Sequence, residues 1–518
     1  MRGLLPLLGA LCALAPSVSA LLGLVSTETE APPLAGPGAP SGNATIADIK
    51  QACSLLAHKL GSSKVVKQGL RQLQYAERLE HSWNKQQSYY KPGCIAFPAS
   101  TDEVVLTYKA IIDANVPYGV RSGSHGVTYG WCSTPGVLLD LVNMDQVEYD
   151  AERGVALVGP GNRWGRVYDG LAKHNQTVIG GRVTDVGMGL LLNGGVSYLS
   201  GEHGFASTNI VEIEIVLPTG QLVVATPGNQ YKDLLWALQT GANSFGIVTK
   251  FTLKTIPTDH AFWGGLVFYA AEQFSAVSDA AVDFFDEVTD PKAAIIPTFE
   301  FIGSPVEGLL KPFAIFALSY AGPQPPPGIF DRLLAIPHTK STVQTRPYAG
   351  PGGVVHSFDG LGAVYGNDQS FRVQGHKLTK DVARSALAAS FNLTKTLGTD
   401  LATYSLSYEH ILGQTIAISN RAGGTPYGYD EQPLTYVLYN LANKGSLPTA
   451  RKQSILKTFN SIVDRVPSTG TFPLYLAYAG PDQQPLQTFR NYDRLKAIKQ
   501  KYDPKGFVQS HAGGPQYH

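Results

Sequence analysis

Charge is scarce in this 518-residue chain. Asp, Glu, Lys and Arg make up 16% of it, against a usual ~25%. The 41 basic residues almost cancel the 40 acidic ones, leaving a formal net charge of +1. No global field gathers nucleic acid or an acidic membrane surface, and neither is expected as a partner. Long apolar runs are missing too: LLPLLGALCALA near the N-terminus is too short for a permanent bilayer span, and no later stretch reaches about 18 uninterrupted apolar residues. Cysteine is rare, with four in the chain. The twelve histidines show no metal-ligand spacing and H-E-x-x-H does not occur, so no metal site is expected.

What is present begins with an address. Arg2, the apolar run and Ser17-Val18-Ser19-Ala20 have the layout of a secretory signal cleaved near Ala20. The sequons at Asn43, Asn175 and Asn392 fit that route. With Cys12 removed, Cys53, Cys94 and Cys132 remain, and three thiols cannot all pair within one chain. A Cys53–Cys94 bridge would pin the helix IADIKQACSLLAHKL to the first domain, with Cys132 as the odd thiol.

The length suggests two to four domains. Residues 21–45 read as a flexible Pro/Gly/Ser-rich leader. From about Lys91 to Pro257, short strands (VLLDL, VALVGPG, VEIEIVLPTGQLVVAT, GIVTKFTLKTIP) and helices are divided by glycine loops. STDEVVLTYKAIIDANVP reads as a helix capped by Ser100, and YKDLLWALQTGANSFG as one closed by Gly241. Beyond His260, wide apolar strands (FWGGLVFYA, AIIPTFEFIG, FAIFALSYAG) alternate with helices such as AEQFSAVSDAAVDFFDEV, an α+β segment suited to roofing a ligand site. FRNYDRLKAIKQKYDPKGFVQS forms a helix that ends at Asp503-Pro504.

Two glycine-rich loops carry the chemistry. The first, VRSGSHGVTYGW (Val120–Trp131), holds one histidine, and three roles compete for it: hydrolase nucleophile loop, phosphate cradle or cofactor attachment point. The nucleophile elbow G-x-S-x-G fails, because S-G-S-H-G lacks its first glycine. GPGNRWG at Gly159–Gly165 is a poor dinucleotide turn, since Pro160 and Trp164 spoil it. The second loop, IGGRVTDVGMGLLLNGGVSYLSGEHGF, places eight glycines between Gly180 and Gly204. That density is entropically costly unless backbone must approach something closely. Exposed N–H groups could line an extended anion such as a pyrophosphate, and the two loops together could enclose one dinucleotide.

RSGSH, LLDL, GPGNRWG, GGRVTDVGMGLLLNGGVSYLS, IVLPTGQLV and DLLWALQTGANSFGIVT, in that order, resemble the FAD-binding half of the vanillyl-alcohol-oxidase superfamily. The nearer likeness is to its berberine-bridge-enzyme-like branch, and GGRVTDVG is similar to the fungal forms. NYDRLKAIKQKYDPKGF resembles that branch's closing motif. The resemblance implies an α+β fold: a two-subdomain, PCMH-type FAD-binding module over residues 46–258, a substrate-binding domain over 259–480, and a returning segment over 481–518. It implies FAD held by Arg121, Ser122, Gly123, Ser124, His125 and Gly126 of the first loop. The second loop would add Thr184, Asp185, Gly187, Gly189, Asn193, Gly194 and Gly195, with Ile247 and Asn491 completing the set. His125 would carry the flavin through its 8α-methyl group, with Ser124 where the family has a second glycine. The family's G-x-C-P-x-V segment reads Gly181–Val186 and has no cysteine, so attachment through His125 alone is expected.

The family's Y-x-N-Y strand is matched by Tyr475–Tyr478, with Ala477 in place of asparagine. That makes Tyr478 the candidate base, and a tyrosine near ~10 needs help at neutral pH. The implied activity is a secreted oxidase moving a hydride from an alcohol, amine or activated C–H of a hydrophobic small molecule to flavin. O2 would be the acceptor and H2O2 the product. Alternatives are an oligosaccharide oxidase, a non-redox cyclase or isomerase, or a flavin-dead binding protein.

Overall fold

The computed structural model of the chain describes residues 43–69, 72–303, 310–359 and 365–518. The expected signal and nearly all of the expected leader lie outside them. Among the described residues, no helix is long and apolar enough to cross a membrane. Thr45 opens the first helix, Ile46–Leu60, with a reciprocal cap. Its hydroxyl accepts from the Asp48 N–H, and the Asp48 carboxylate accepts from the Thr45 N–H at 2.8 Å. Ala52, Cys53 and Leu56 form the buried stripe. Cys53 is bonded to Cys94, and Cys132 is the free thiol, as expected.

Cys94 begins a strand of the first sheet, whose order is Val65–Lys67, Cys94–Ala96, Val137–Asp140, Tyr118–Arg121. The last three are parallel. Every residue of Val137–Asp140 is buried, as a central parallel strand requires. The crossover helix is Thr101–Ala114; the Ser100 hydroxyl accepts from the Glu103 N–H at 3.3 Å, and Asp102 and Glu103 sit in its positive first turn.

The second sheet is antiparallel, ordered Val147–Asp150, Val155–Val158, Ile247–Pro257, Ile210–Val216, Leu222–Ala225, with Gln176–Val178 also on Ile247–Pro257. VEIEIVLPTGQLVVAT thus folds as a hairpin of two strands. The following helix is shorter than expected, Lys232–Leu238, and Gly241 does not close it. Ala242 takes the left-handed φ of 51° and gives its N–H to the Leu192 carbonyl at 2.9 Å. The chain leaves the helix early to dock on the second glycine loop.

The third sheet is ordered Lys340–Ser341, Phe262–Ala270, Leu310–Tyr320, Ala293–Gly303, Leu401–Ile411, Leu434–Asn443, Asp368–His376, with antiparallel neighbours. Its strands are two-faced. Ile295, Phe299, Phe301, Tyr404, Leu406, Tyr408, Val437, Tyr439 and Leu441 pack into one core with helices Phe274–Glu287, Lys380–Leu397 and Thr449–Val463. Their alternate neighbours point the other way, as the two-residue pleat dictates. Of the C-terminal helices, Tyr492–Tyr502 packs beside Lys232–Leu238, with Lys501 and Tyr502 bonded to Asp233, and Phe507–His511 returns to the first sheet, where Phe507 stacks on Tyr118. The turn between them is held by Asp503, whose carboxylate accepts from the Phe507 and Val508 N–H groups at 2.8 and 3.0 Å.

The bridge spans 41 residues, a loop length at which cross-linking stabilises by about 2–4 kcal/mol. Urea unfolding of Cys53→Ser/Cys94→Ser should show that loss, and non-reducing peptide mapping of the wild type should find Cys132 unpaired.

Candidate functional site

The inner face of the third sheet does not meet a second layer of helices. It roofs a cavity of ≈ 450 Å³ whose floor is built from the two glycine loops. Ser122, Gly123, Ser124, His125 and Gly126 line it from the first loop, and Gly187, Gly189 and Asn193 from the second; Ile247 and Tyr478 line it as well.

The first loop follows the edge strand Tyr118–Arg121 and is clamped from outside. The Ser124 carbonyl accepts from the Trp83 N–H at 3.0 Å, and the Ser124 hydroxyl donates to the Ser82 hydroxyl at 2.9 Å. Ser124 has a φ of 67°, the left-handed conformation that explains why the resembling family has glycine there. The clamp holds serine in that conformation. The His125 ring stacks on Trp83 with centroids 4.4 Å apart. Burial pushes its pKa down to about 4, so it is neutral with a free lone pair near pH 7. Ser82 and Trp83 were not read from the sequence; an aromatic in HSWNK gives no signal until it is seen against the histidine.

The glycines of the second loop divide by what a side chain would meet. A Cβ on Gly187 would lie 2.3 Å from the Gly123 backbone nitrogen, and one on Gly195 2.7 Å from Ala206 Cβ. These positions are glycine because protein packs against them. A Cβ on Gly189 meets nothing within 4 Å and would enter the cavity. Gly194 and Gly195 lie behind the wall, where the Gly195 N–H donates to Tyr475 Oη at 3.0 Å.

Other expected contacts stand away from the cavity. Arg121 is fully buried behind the first loop, donating to the Arg78 carbonyl beside Asp140. Asp185 pairs with Arg163, and the Thr184 hydroxyl donates to Asp359. Asn491 begins the Tyr492–Tyr502 helix and donates to the Thr425 carbonyl at 3.2 Å.

Tyr475–Tyr478 is not a strand: Leu476–Tyr478 is a single 3-10 turn, tied down by Tyr427, whose hydroxyl accepts from the Leu476 N–H and donates to the Asn193 carbonyl, both at 3.0 Å. This turn aims Tyr478 at the cavity, where its hydroxyl accepts from Arg182 Nη2 at 3.0 Å. Burial raises the Tyr478 pKa further, despite the guanidinium. Tyr478 is therefore a hydrogen-bonding group here and a poor base. Arg182 is itself committed to an ion pair with Glu409 on the roof.

The group with a base's acidity is Glu300. It stands on the cavity face of Ala293–Gly303, has no hydrogen-bond or ion-pair partner among the described residues, and burial alone pushes its pKa up to about 7. A carboxyl so placed can hold or take a proton at neutral pH. Its signal in the sequence was a lone acid in the otherwise apolar AIIPTFEFIG.

The floor fits FAD. Among the described residues, the backbone N–H groups of Gly123 and Ser124 bond no protein acceptor, and Gly189 leaves backbone bare toward the cavity. These are the features a pyrophosphate or flavin edge uses. Residues 92–226 match the family described as FAD binding domain. An uncharacterized FAD-linked oxidoreductase of Arthroderma benhamiae is 33% identical over 277 residues, 53% of this chain and 54% of that protein, so the match spans about half of that relative. The FAD-dependent monooxygenase macF of Penicillium terrestre is 27% identical over 496 residues, 92% of this chain and 90% of that one. A variant of berberine bridge enzyme superposes with a TM-score of 0.72 at 17% identity, covering 90% of this chain and 100% of that one. The chain thus carries an FAD-binding domain within the berberine-bridge-enzyme-like fold.

Two outcomes follow from this geometry. Gly189→Val should fold normally yet lose bound flavin, whereas Gly187→Val should lower the melting temperature, because its side chain meets backbone. Absorbance at ~450 nm against protein, together with thermal melts, separates the two. The second concerns pH. The folded-state pKa of Glu300 is raised from 4.5 to about 7, so its burial costs nothing below pH 4.5 and most above 7. Glu300→Gln should leave stability nearly unchanged at pH 4.5 and raise it by about 3 kcal/mol at pH 8.

Proposed function

We propose that this chain, an FAD-linked oxidoreductase with the berberine-bridge-enzyme-like fold, is a secreted oxidase of hydrophobic small molecules. It takes a hydride from an alcohol, amine or activated C–H and uses O2 as acceptor, with H2O2 as product. The observation that carries the reading is one cavity in which the two glycine loops face a sheet wall where Ile296, Ile302, Ile315, Phe371 and Leu438 alternate with a short set of polar side chains. Bound FAD supplies the hydride acceptor. The protein supplies placement: Gly123, Ser124 and Gly189 offer backbone to the cofactor, and the sheet face holds the substrate over it.

His125 is the attachment point in this reading. Bond formation at a ring nitrogen requires the neutral imidazole, which burial maintains, and the Trp83 stack fixes the ring plane. With Val183 where the family's second anchor would be a cysteine, attachment is through His125 alone. Arg182, neutralised by Glu409, and Tyr478 present a hydrogen-bonding corner in the same cavity as Glu300. Secretion is supported by the N-terminal signal, the Cys53–Cys94 bridge and the exposed sequon residues Asn43, Asn175 and Asn392.

The purified protein should be yellow, and acid precipitation should leave the flavin with the protein; His125→Ala should release it. Release from the wild type would end the covalent assignment. Anaerobic substrate should bleach the flavin band, and readmitted O2 should return it with H2O2. Incorporation of an ¹⁸O atom from O2 into product would instead mark a monooxygenase, and turnover without bleaching a non-redox isomerase.

A further inference from the structure

The cavity roof carries one carboxylate that no group among the described residues answers. Register sets Glu300 opposite Ser405, and Ser405 opposite Asn440, so the three share one row across adjacent strands. The row is about 10 Å from end to end at ordinary strand spacing. Asn440 Oδ1 is buried without a hydrogen-bond partner. In the next row Thr298 and Ser407 satisfy each other at 3.0 Å.

The other titratable groups facing the cavity do not neutralise Glu300. Arg182 is balanced by Glu409. His125 is neutral above about pH 4, and burial pushes Cys132, Tyr475 and Tyr478 up into their neutral forms. Lys311, in register with Ile302 on the neighbouring strand, is exposed and does not line the cavity. With Glu300 ionised, the wall holds one net negative charge and an orphan acceptor, set among Ile302, Ile315, Phe371 and Leu438 and the uncharged hydroxyls of the Thr and Ser residues between them.

We propose that the substrate is an apolar amine, bound as its cation against the Glu300 carboxylate with the Asn440 carbonyl as a second acceptor. This rests on the oxidase reading for the reaction, while the recognition stands on the wall itself. An ammonium supplies both the missing charge and the missing N–H donors. A neutral polyol would leave the charge unanswered.

The test is calorimetric binding to the flavin-loaded protein of benzyltrimethylammonium, a permanent cation, and of neopentylbenzene, its neutral isostere. Because the probe does not titrate, any pH dependence belongs to the protein. At pH 8.5 the cation should bind at least about tenfold tighter than the isostere, since the pair is desolvated. Its affinity should fall by up to about tenfold per pH unit below 7, as Glu300 takes up a proton. Glu300→Gln should abolish both the preference and the pH dependence, and Glu300→Asp should restore part of each. Equal binding of the two probes, a preference that survives Glu300→Gln, or no cation binding at millimolar concentration overturns the proposal. A protein that bleaches with alcohols yet shows no cation preference refutes the amine assignment alone. A protein that no substrate bleaches refutes the oxidase reading.

Discussion

Gly123 and Gly187 meet backbone to backbone, close enough that a Cβ on either would fall within about a bond length of covalent contact with the other. One belongs to a loop leaving the first sheet, the other to a loop that follows Gln176–Val178 of the second. Their contact makes a single floor out of two sheets that share no strand. The remaining ties presuppose it. Ser122 Oγ donates to the Pro160 carbonyl at 2.6 Å, Trp83 backs His125, and Tyr475 and Tyr427 fasten the far end of the second loop to the returning chain. The third sheet is registered on the same floor through Asn84, whose amide exchanges hydrogen bonds with the Gln369 backbone at 3.0 and 3.1 Å.

Over that floor, burial sets the charge state of each reactive group. The same loss of water that keeps His125 free of a proton keeps Tyr478 in possession of one, and leaves Glu300 balanced near neutrality. Arg182 and Glu409 stay charged in the cavity wall because they do so as a pair. Near pH 7 the carboxyl on the sheet is thus poised between its two forms, while the tyrosine beside the guanidinium keeps its proton.

The floor was legible in the sequence and the roof much less so. Glycine loops, Ser100 and Thr45 caps and the Asp503-Pro504 stop are local signals, written in residues that have few other uses. The wall strands Leu401–Ile411 and Leu434–Asn443 mix Tyr, Ser, Thr and Leu, and their alternation becomes meaningful only once a helix-facing side is known. Tyr478 was found by motif, but its distance from Arg182 and its burial depend on residues 296 positions apart. Gly187 lines the cavity, as its place in the glycine loop suggests, but its packing against Gly123 is a second reason for glycine that sequence does not display. Glu300 was passed over for a related reason: an acid in an apolar strand reads as a pattern defect until the strand is seen to have a cavity on one side.

The two-faced strands of the third sheet have a consequence for how such a protein can diversify. Residues that hold the sheet to its helices and residues that touch the ligand alternate along the same backbone, so neighbouring codons answer to different selective pressures. Thr298, Glu300, Ser405, Ser407 and Asn440 can drift toward new ligand chemistries while Phe299, Phe301, Tyr404, Leu406 and Tyr439 stay fixed by packing. Novelty in this wall is a matter of every second letter. A shift of register by one residue would exchange the two vocabularies, and so lineages should explore it by substitution and hardly ever by insertion.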